Sequence, residues 1–483
     1  MRSGRAPHRS SILSGVTGRD GKLQVIAGMG QSIVMLPADI AATLALRHTH
    51  LQAALRDKLR VISVAYLTFP LIDTAATLVG FQLLFSLGMS RASAALGALG
   101  MLFLTSFLPY SQHHQENNLM LLCTLLVFLA ASRWLSDGRS RWVALAATAA
   151  AFNLLIRLPT VLELPCVCLF VALAARKQPK PHPQLSRWKR QVLLIALPIL
   201  LAGTSIDRLY QYHRFGSFFG TYTALWGREQ RAANPSLRPG YPFSGSFAEG
   251  FAGPFISRRK SMFMYDPVLL LAIAAAICLR GGPNAQTRAL LAAGFLQLLG
   301  YIAFHARLEF WHGDFAWGDR YITVPLDLLE LVALGVTATA WPALRRMTRA
   351  AVAGLCSGAL LVQCAAVVFP PGLELVQEMT IGGPMFLLGR RFLNIWLLIT
   401  DRLADAPHPV PDQPAMFRVA FTPFNFPVSG MHGAHLILAV LWMIGVIAVA
   451  ICTTWFVRKL TAENSPTQLN AATREQPTAC LRQ

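Results

Sequence analysis

Charged residues are scarce in this chain. Of 483 residues only 14% are charged, against about 25% in a typical soluble domain. With 54% hydrophobic residues, that deficit excludes a string of soluble domains, although the length alone would allow several. Acids are the scarcer sign: 23 Asp and Glu stand against 43 Lys and Arg, a formal net charge of +20. No P-loop and no G-x-G-x-x-G occurs. Gly28-Met29-Gly30 lacks the third glycine and the preceding strand, so nucleotide-binding folds of those kinds have no support. The absence of a convincing internal repeat weighs against a transporter built from repeated halves. Cys166 and Cys168 form C-x-C, not C-x-x-C. Seven of the eight cysteines lie in or beside apolar runs and read as small buried apolar residues, so no disulfide framework is expected.

Apolar runs are what the chain has in abundance. Stretches of about 18 or more residues recur along most of its length and read as membrane spans. Strands of a barrel would instead alternate polar and apolar over about ten residues. The spans are placed near 60–89, 91–109, 118–135, 141–157, 158–176, 191–207, 266–280, 288–305, 321–341, 349–369 and 434–457. The predicted fold is an all-α polytopic membrane protein. It is a helical bundle of about 11–12 transmembrane helices with extracytoplasmic loops and surface helices. Arg157-Leu158-Pro159 separates two spans, and the proline favours a tight turn there.

Loop charge orients the bundle. Arg133, Arg139 and Arg141 lie in one loop, and Arg176, Lys177, Lys180, Arg187, Lys189 and Arg190 in another. Arg280 with Arg288, then Arg345, Arg346 and Arg349, and finally Arg458 and Lys459 fall on the same side. That side is predicted to be cytoplasmic and to hold the C-terminus. The positive charge is thereby explained as a topology signal. No stretch interleaves it with aromatics as a strand-binding groove would, so no nucleic-acid partner is expected. The outer side receives loops 110–117, 208–265, 306–320 and 370–433. Residues 1–57 form an N-terminal segment in which 28–46 is a membrane-surface helix or an extra span. Residues 58–460 form the multi-span domain, and 461–483 a disordered cytoplasmic tail.

Three polar stretches collect on the outer side. Pro109 to Asn118 carries Glu116 at the membrane face, where a partly desolvated carboxylate can act as a base or a metal ligand. Trp311 to Tyr321 combines glycines, Trp311, Trp317, Asp314, Asp319 and Arg320. Glycines let the backbone approach a ligand, aromatics offer a stacking surface, and an arginine can grip a phosphate in two-pronged fashion. Arg258, Arg259 and Lys260 place three cations outside, against the topology trend, where a lipid phosphate would account for them. Within spans, Asp73, Arg157, Glu163 and Glu330 are functional candidates by default, with Arg157 and Glu163 close enough in sequence to pair. The outer histidines show no H-E-x-x-H spacing, and a divalent metal remains possible only through a site assembled in space.

Several passages, in order, resemble the bacterial GT-C-type membrane glycosyltransferases, the superfamily of protein mannosyltransferases and lipid A aminoarabinose transferases, and within it the RgtA/B/C/D-like kind. They are Asp20-Gly21-Lys22 with Gly28-Met29-Gly30-Gln31-Ser32 and Leu36-Pro37; Leu108-Pro109-Tyr110-Ser111 through Glu116; Ile156-Arg157-Leu158-Pro159-Thr160; Tyr212-His213-Arg214-Phe215-Gly216-Ser217; Ser257 to Pro267; and Trp311 to Tyr321. The resemblance covers about residues 20–460. It implies a GT-C-like bundle in the bacterial inner membrane. Such an enzyme takes a sugar from a polyprenyl-phosphate carrier and transfers it, with inversion, to a glycan, lipid or protein acceptor outside. Carried over residue by residue, Glu116 matches the family's acid after its third span and becomes the first catalytic candidate. Arg258, Arg259, Lys260 and Arg320 would hold the departing phosphate, while Trp311, Asp314 and Trp317 would face sugar or lipid. The family also has a first span followed by a catalytic acid. This chain is expected to begin after that point, which leaves Asp20 as a second catalytic candidate. Two further readings stay open: a transporter or flippase of lipid-linked substrates, and an inactive truncated relative.

Overall fold

The computed structural model describes residues 15–25, 28–112, 115–176, 185–278, 285–382, 385–400, 402 and 406. Among these the only strands are a short antiparallel hairpin, β1 (Gly15–Thr17) and β2 (Leu23–Val25). Everything else regular is helical. α1 (Met29–Leu46) and α2 (Ala53–Ser86) come first. A bidentate Asp39–Arg60 pair, at 2.6 and 2.8 Å, joins the middle of α1 to the second turn of α2. Gly28 and Gly30 press the start of α1 onto the end of a later helix: a Cβ at Gly28 would lie 2.2 Å from the Ile156 carbonyl oxygen. Close backbone approach, and not phosphate binding, is what this glycine pair provides.

The next helices are α3 (Arg91–Leu104), α4 (Phe107–Gln112), α5 (Asn117–Asp137) and α6 (Ser140–Ile156). Ser90 caps α3, its hydroxyl accepting from the Ser93 N–H at 3.1 Å. Gly138, at φ +66°, ends α5 in the left-handed conformation common at helix C-termini. The predicted turn at Arg157-Leu158-Pro159 is present. Arg157 is extended, a 3-10 turn runs over Leu158–Leu162, and α7 (Glu163–Arg176) follows. α8 (Leu185–Gln191) joins α9 (Leu197–Phe215) through one π-helical turn. α10 (Tyr222–Ala233), α11 (Phe247–Ile256) and α12 (Met262–Tyr265) are short. α13 (Leu269–Cys278), α14 (Ala285–His305), α15 (Thr323–Ala340) and α16 (Arg346–Val368) return to apolar sequence. α17 (Leu373–Ile381) and α18 (Leu387–Ile399) close the described chain.

Among the described residues, eight helical segments are long and apolar enough to cross a membrane, and three shorter apolar helices accompany them. The chain is an all-α, multi-pass membrane protein. Ten of the predicted spans coincide with helices. The one near 434–457 lies outside the described residues, as do the tail 461–483 and the linker 178–184. The eighth long segment is α1, where an extra span or surface helix was anticipated. The predicted span 91–109 is broken: α3 stops before Thr105-Ser106 and α4 starts at Phe107.

α15 is the axis of the bundle. Every residue from Thr323 to Gly335 is buried. Apolar transfer from water does not hold helices together inside a bilayer, so small residues that let backbones close matter more. Gly97 of α3 and Gly335 of α15 meet in this way: a Cβ at Gly97 would fall 3.0 Å from the Gly335 Cα. Polar pairs link other helices. Asn118 donates to Asp73 at 2.7 Å. Glu163 accepts from Thr124 at 2.5 Å and from Asn153 at 2.7 Å. The expected Arg157–Glu163 pair therefore does not form. The extended backbone at Arg157 and the 3-10 turn after it separate the two side chains, and Arg157 reaches Glu116 instead.

Candidate functional site

A cavity of about 270 Å³ opens where the ends of α6, α14 and α15 meet the middle of α9 and the start of α10. That is near the lower end of the ~300–1,000 Å³ usual for small-molecule sites. Three guanidinium groups line it. Arg157 comes from the turn after α6, Arg208 from α9, and Arg320 from the loop before α15. Asp207 and Asp314 supply carboxylates, and Tyr222, Trp226, Phe243, Phe304, Phe310 and Tyr321 supply aromatic walls.

The charges are held by one another and by aromatic faces. Arg157 lies 3.4 Å from Glu116, both partly exposed. Arg157 and Arg320 each sit 5.1 Å from the Tyr321 ring centre, and His305 stacks on that ring at 4.6 Å. Cations over an aromatic face gain from the ring quadrupole. Arg208 is paired with Asp207 and also donates to the Phe218 carbonyl at 3.1 Å. Arg320 lies 3.9 Å from Asp314 and 3.2 Å from the Tyr321 hydroxyl. Burial opposes the charge on Glu116, but the guanidinium of Arg157, the residue's own N–H and Arg320 outweigh it and leave its pKa below the ordinary carboxylate value. Asp314 behaves in the opposite sense: burial raises its pKa despite Arg320 and Lys260. Asp314 also has φ +51°, the left-handed region, which aspartate tolerates better than most side chains.

Two stretches that are far apart in sequence build this floor together. The Tyr110 hydroxyl of α4 donates to the Trp317 carbonyl at 2.7 Å. Asn117, at the start of α5, donates to the Arg320 carbonyl at 2.8 Å and to the Thr323 hydroxyl at 2.6 Å. The Pro109–Asn118 stretch and the Trp311–Tyr321 loop are thus one assembly. Arg320 links its two parts, lying 3.9 Å from Asp314 and close enough to Glu116 to act on its charge.

Other candidates lie elsewhere. Asp20 sits on the exposed tip of the β-hairpin, where it accepts from the Lys22 N–H at 3.1 Å, outside the cavity lining. The turn after α11 sends Arg258, Arg259 and Lys260 in different directions, so they do not form the single phosphate grip expected of them. Arg258 is exposed. Arg259 pairs with Glu378 at 2.9 Å beside a separate cavity of about 480 Å³. Lys260 is buried and donates to the carbonyls of Asp314 and Ala316. Burial lowers its pKa to about 7, against the pull of Asp319 and Asp314. Lys260 therefore shapes the loop that presents Asp314.

Trp311 and Trp317 are also interior residues and not stacking surfaces. Trp317 is 3% exposed, packs edge-on to Tyr265 at 4.9 Å and has the Arg391 guanidinium 5.0 Å from its ring. Trp311 packs against α11, where a Cβ at Gly253 would come within 2.2 Å of the indole. Gly253→Val should accordingly displace Trp311 and destabilise the fold by about 1–3 kcal/mol, the usual cost of overpacking. An unchanged melting temperature and unchanged tryptophan fluorescence would remove that contact from the account. The aromatic surface of the cavity comes instead from Trp226, Tyr222 and Tyr321. The first two lie within residues 208–265, predicted as a loop, where nothing in their spacing marked them. The Asp207–Arg208 pair fell at the boundary between the predicted span 191–207 and the loop 208–265, whereas the helix runs on to Phe215.

Among the described residues, the carboxylates close enough to share an ion are not in the cavity. They are Asp327 and Glu330, further along α15, and Asp266, in the turn before α13. No protein-family model, curated protein or solved structure matches the chain.

Proposed function

We propose that the protein is a GT-C-type glycosyltransferase of the bacterial inner membrane. It takes a sugar from a polyprenyl-phosphate carrier and transfers it to an acceptor on the outer side, with its C-terminus in the cytoplasm. The observation that carries this reading is the cavity where Arg157, Arg208 and Arg320 meet Asp207 and Asp314 under an aromatic wall, beside apolar helices. Guanidinium forks suit a phosphate, aromatic faces suit a sugar ring, and the apolar helices suit a lipid tail. The basic loops, read as cytoplasmic, support an outer position for this end of the bundle.

In this mechanism an acceptor hydroxyl oxygen attacks the anomeric carbon. The carbon–oxygen bond to the carrier phosphate breaks, and its electron pair leaves with the phosphate. Arg320 and Arg157 stabilise the developing phosphate charge. Asp314 takes the acceptor proton: its side chain lines the cavity and is 40% exposed, and its raised pKa makes it a better base than Glu116, whose pKa the guanidiniums lower. Glu116 positions Arg157.

Asp314→Asn tests this assignment with purified protein and a polyprenyl-phosphate sugar. Transfer should fall about 10²–10⁴-fold, the range for removing a general base, with donor binding retained. The acid limb of the pH–rate profile should lie above the ordinary aspartate pKa and vanish in the variant. Full transfer by Asp314→Asn would reassign the base. Absence of any sugar transfer by the parent protein across polyprenyl-phosphate donors would reject the reading itself.

A further inference from the structure

Deeper in the bundle than the cavity, three carboxylates meet, and among the described residues no cationic side chain pairs with them. Asp266 precedes α13, and Asp327 and Glu330 lie on adjacent turns of α15. One oxygen from each lies within 4.8 Å of the others. They are 2%, 2% and 0% exposed. No salt bridge formed by the described residues includes any of them. Neither Glu330 oxygen has a hydrogen-bond partner of standard geometry, and neither has Asp327 Oδ1. Buried anions packed this closely repel strongly and lose their hydration, so the group needs a positive partner or bound protons.

A separate observation points to the partner. Ser106, in the break between α3 and α4, is 0% exposed, and its hydroxyl oxygen also has no partner of standard geometry. Its main-chain N–H donates to Asp266 Oδ1 at 2.7 Å, and its side chain lies against both Asp266 and Asp327. Shared protons are the alternative, with the Ser106 hydroxyl then hydrogen-bonded to Asp266 or Asp327, and metal content separates the two. A cation uses all of them as ligands.

We propose that Asp266, Asp327, Glu330 and Ser106 bind one hard divalent cation of the Ca²⁺ or Mg²⁺ class. The donor set is all oxygen, with neither His nor Cys, which favours these ions over zinc or copper. Opposite ligands of Ca²⁺ stand about 4.6–5.2 Å apart, which accommodates oxygens within 4.8 Å of one another, whereas Mg²⁺, at about 4.0–4.2 Å, requires them to draw closer. The ion ties three segments together: α15, the turn before α13, and the α3–α4 break. α4 carries Tyr110, whose hydroxyl holds the Trp317 carbonyl, so the ion braces the platform beneath the Trp311–Tyr321 loop. The site does not depend on the sugar-transfer reading.

The test uses the full chain purified in detergent. Bound Mg, Ca, Mn and Zn are measured by mass spectrometry as isolated. They are measured again after chelation and reloading with Ca²⁺ or Mg²⁺ alone, with thermal melting in parallel. The expected result is about one hard divalent ion per chain and a melting temperature that falls on chelation and recovers on reloading. Glu330→Gln and Asp327→Asn should retain less than about a tenth of the ion and lose the melting response. Asp137→Asn, on an exposed carboxylate at the far end of α5, should keep both. Wild-type protein without the ion, with melting indifferent to chelator and to either metal, overturns the proposal, as does zinc as the sole bound metal. Wild-type ion content in a folded Glu330→Gln does the same. If the variants do not fold, the wild-type ion content and melting shift decide alone.

Discussion

Arg320→Ala is expected to reduce transfer from a polyprenyl-phosphate sugar by about 10²–10³-fold, the effect of removing one preorganised donor from a developing negative charge. Arg320 faces the cavity, 5.1 Å from the Tyr321 ring centre and 3.9 Å from Asp314. Tyr321 lies beneath both this guanidinium and that of Arg157, so the two charges are held before any ligand arrives. Pre-arrangement of this kind removes a reorganisation cost from the transition state. Arg320→Lys should recover only part of the loss, because an ammonium cannot make the paired, planar contacts of a guanidinium. Arg133→Ala is the control. Arg133 sits toward the other end of α5, touching Gln82 at 3.3 Å, where it can contact lipid but not the cavity. Equal losses in Arg320→Ala and Arg133→Ala would mean that both act by general lipid contact, and the phosphate role of Arg320 would fall. Folding should be little affected, because the Arg320 main-chain carbonyl, not its side chain, anchors the loop to Asn117.

The helices were legible because a membrane-spanning helix announces itself by composition. A long apolar run needs no knowledge of its neighbours, and ten predicted spans coincide with helices for that reason. Breaks were less legible. Pro159 marked its turn, but nothing in Leu104-Thr105-Ser106-Phe107 signals that α3 ends there. In part the break is set by tertiary contact, the Ser106 N–H turning to Asp266, which lies 160 residues later. Of the site, Glu116, Asp314 and Arg320 stood out as polar groups at the membrane face. Asp207 and Arg208 did not, since they fell where the predicted span 191–207 gave way to the loop 208–265, and nothing there signals that the helix continues to Phe215. Trp311 and Trp317 were misjudged because composition reports that an aromatic is present but not which way it points. Gly253 and Arg391 determine that for them. Arg258, Arg259 and Lys260 were treated as one patch because they are adjacent. In a turn, however, successive side chains diverge, and these three reach solvent, Glu378 and the Asp314 carbonyl respectively.

Arg391→Ala is expected to be the most destabilising single change, costing about 3–5 kcal/mol, because it strands a buried carboxylate. Arg391 is 0% exposed. It grips Glu374 with both prongs, at 2.7 and 2.8 Å, and donates to the carbonyls of Ala365, Ala366, Phe369 and Pro370 at 2.8–3.2 Å. Those carbonyls belong to the end of α16 and the residues just past it, where helix geometry leaves acceptors without partners. One side chain therefore satisfies a helix terminus, neutralises an acid on α17 and supports the Trp317 ring from below. Arg391→Lys should remain destabilised, since a single ammonium cannot serve a bidentate carboxylate and four carbonyls together. Arg391→Met combined with Glu374→Leu should lose less than Arg391→Ala, because no unpaired charge is left buried. Melting in detergent reads the order of the three, and a double variant less stable than Arg391→Ala would reject the stranded-charge explanation. The same series separates support from chemistry. Loss of Arg391 should loosen Trp317 and with it the loop bearing Asp314 and Arg320, so transfer and melting temperature should fall together. In Arg320→Ala transfer should fall while melting stays near that of the parent.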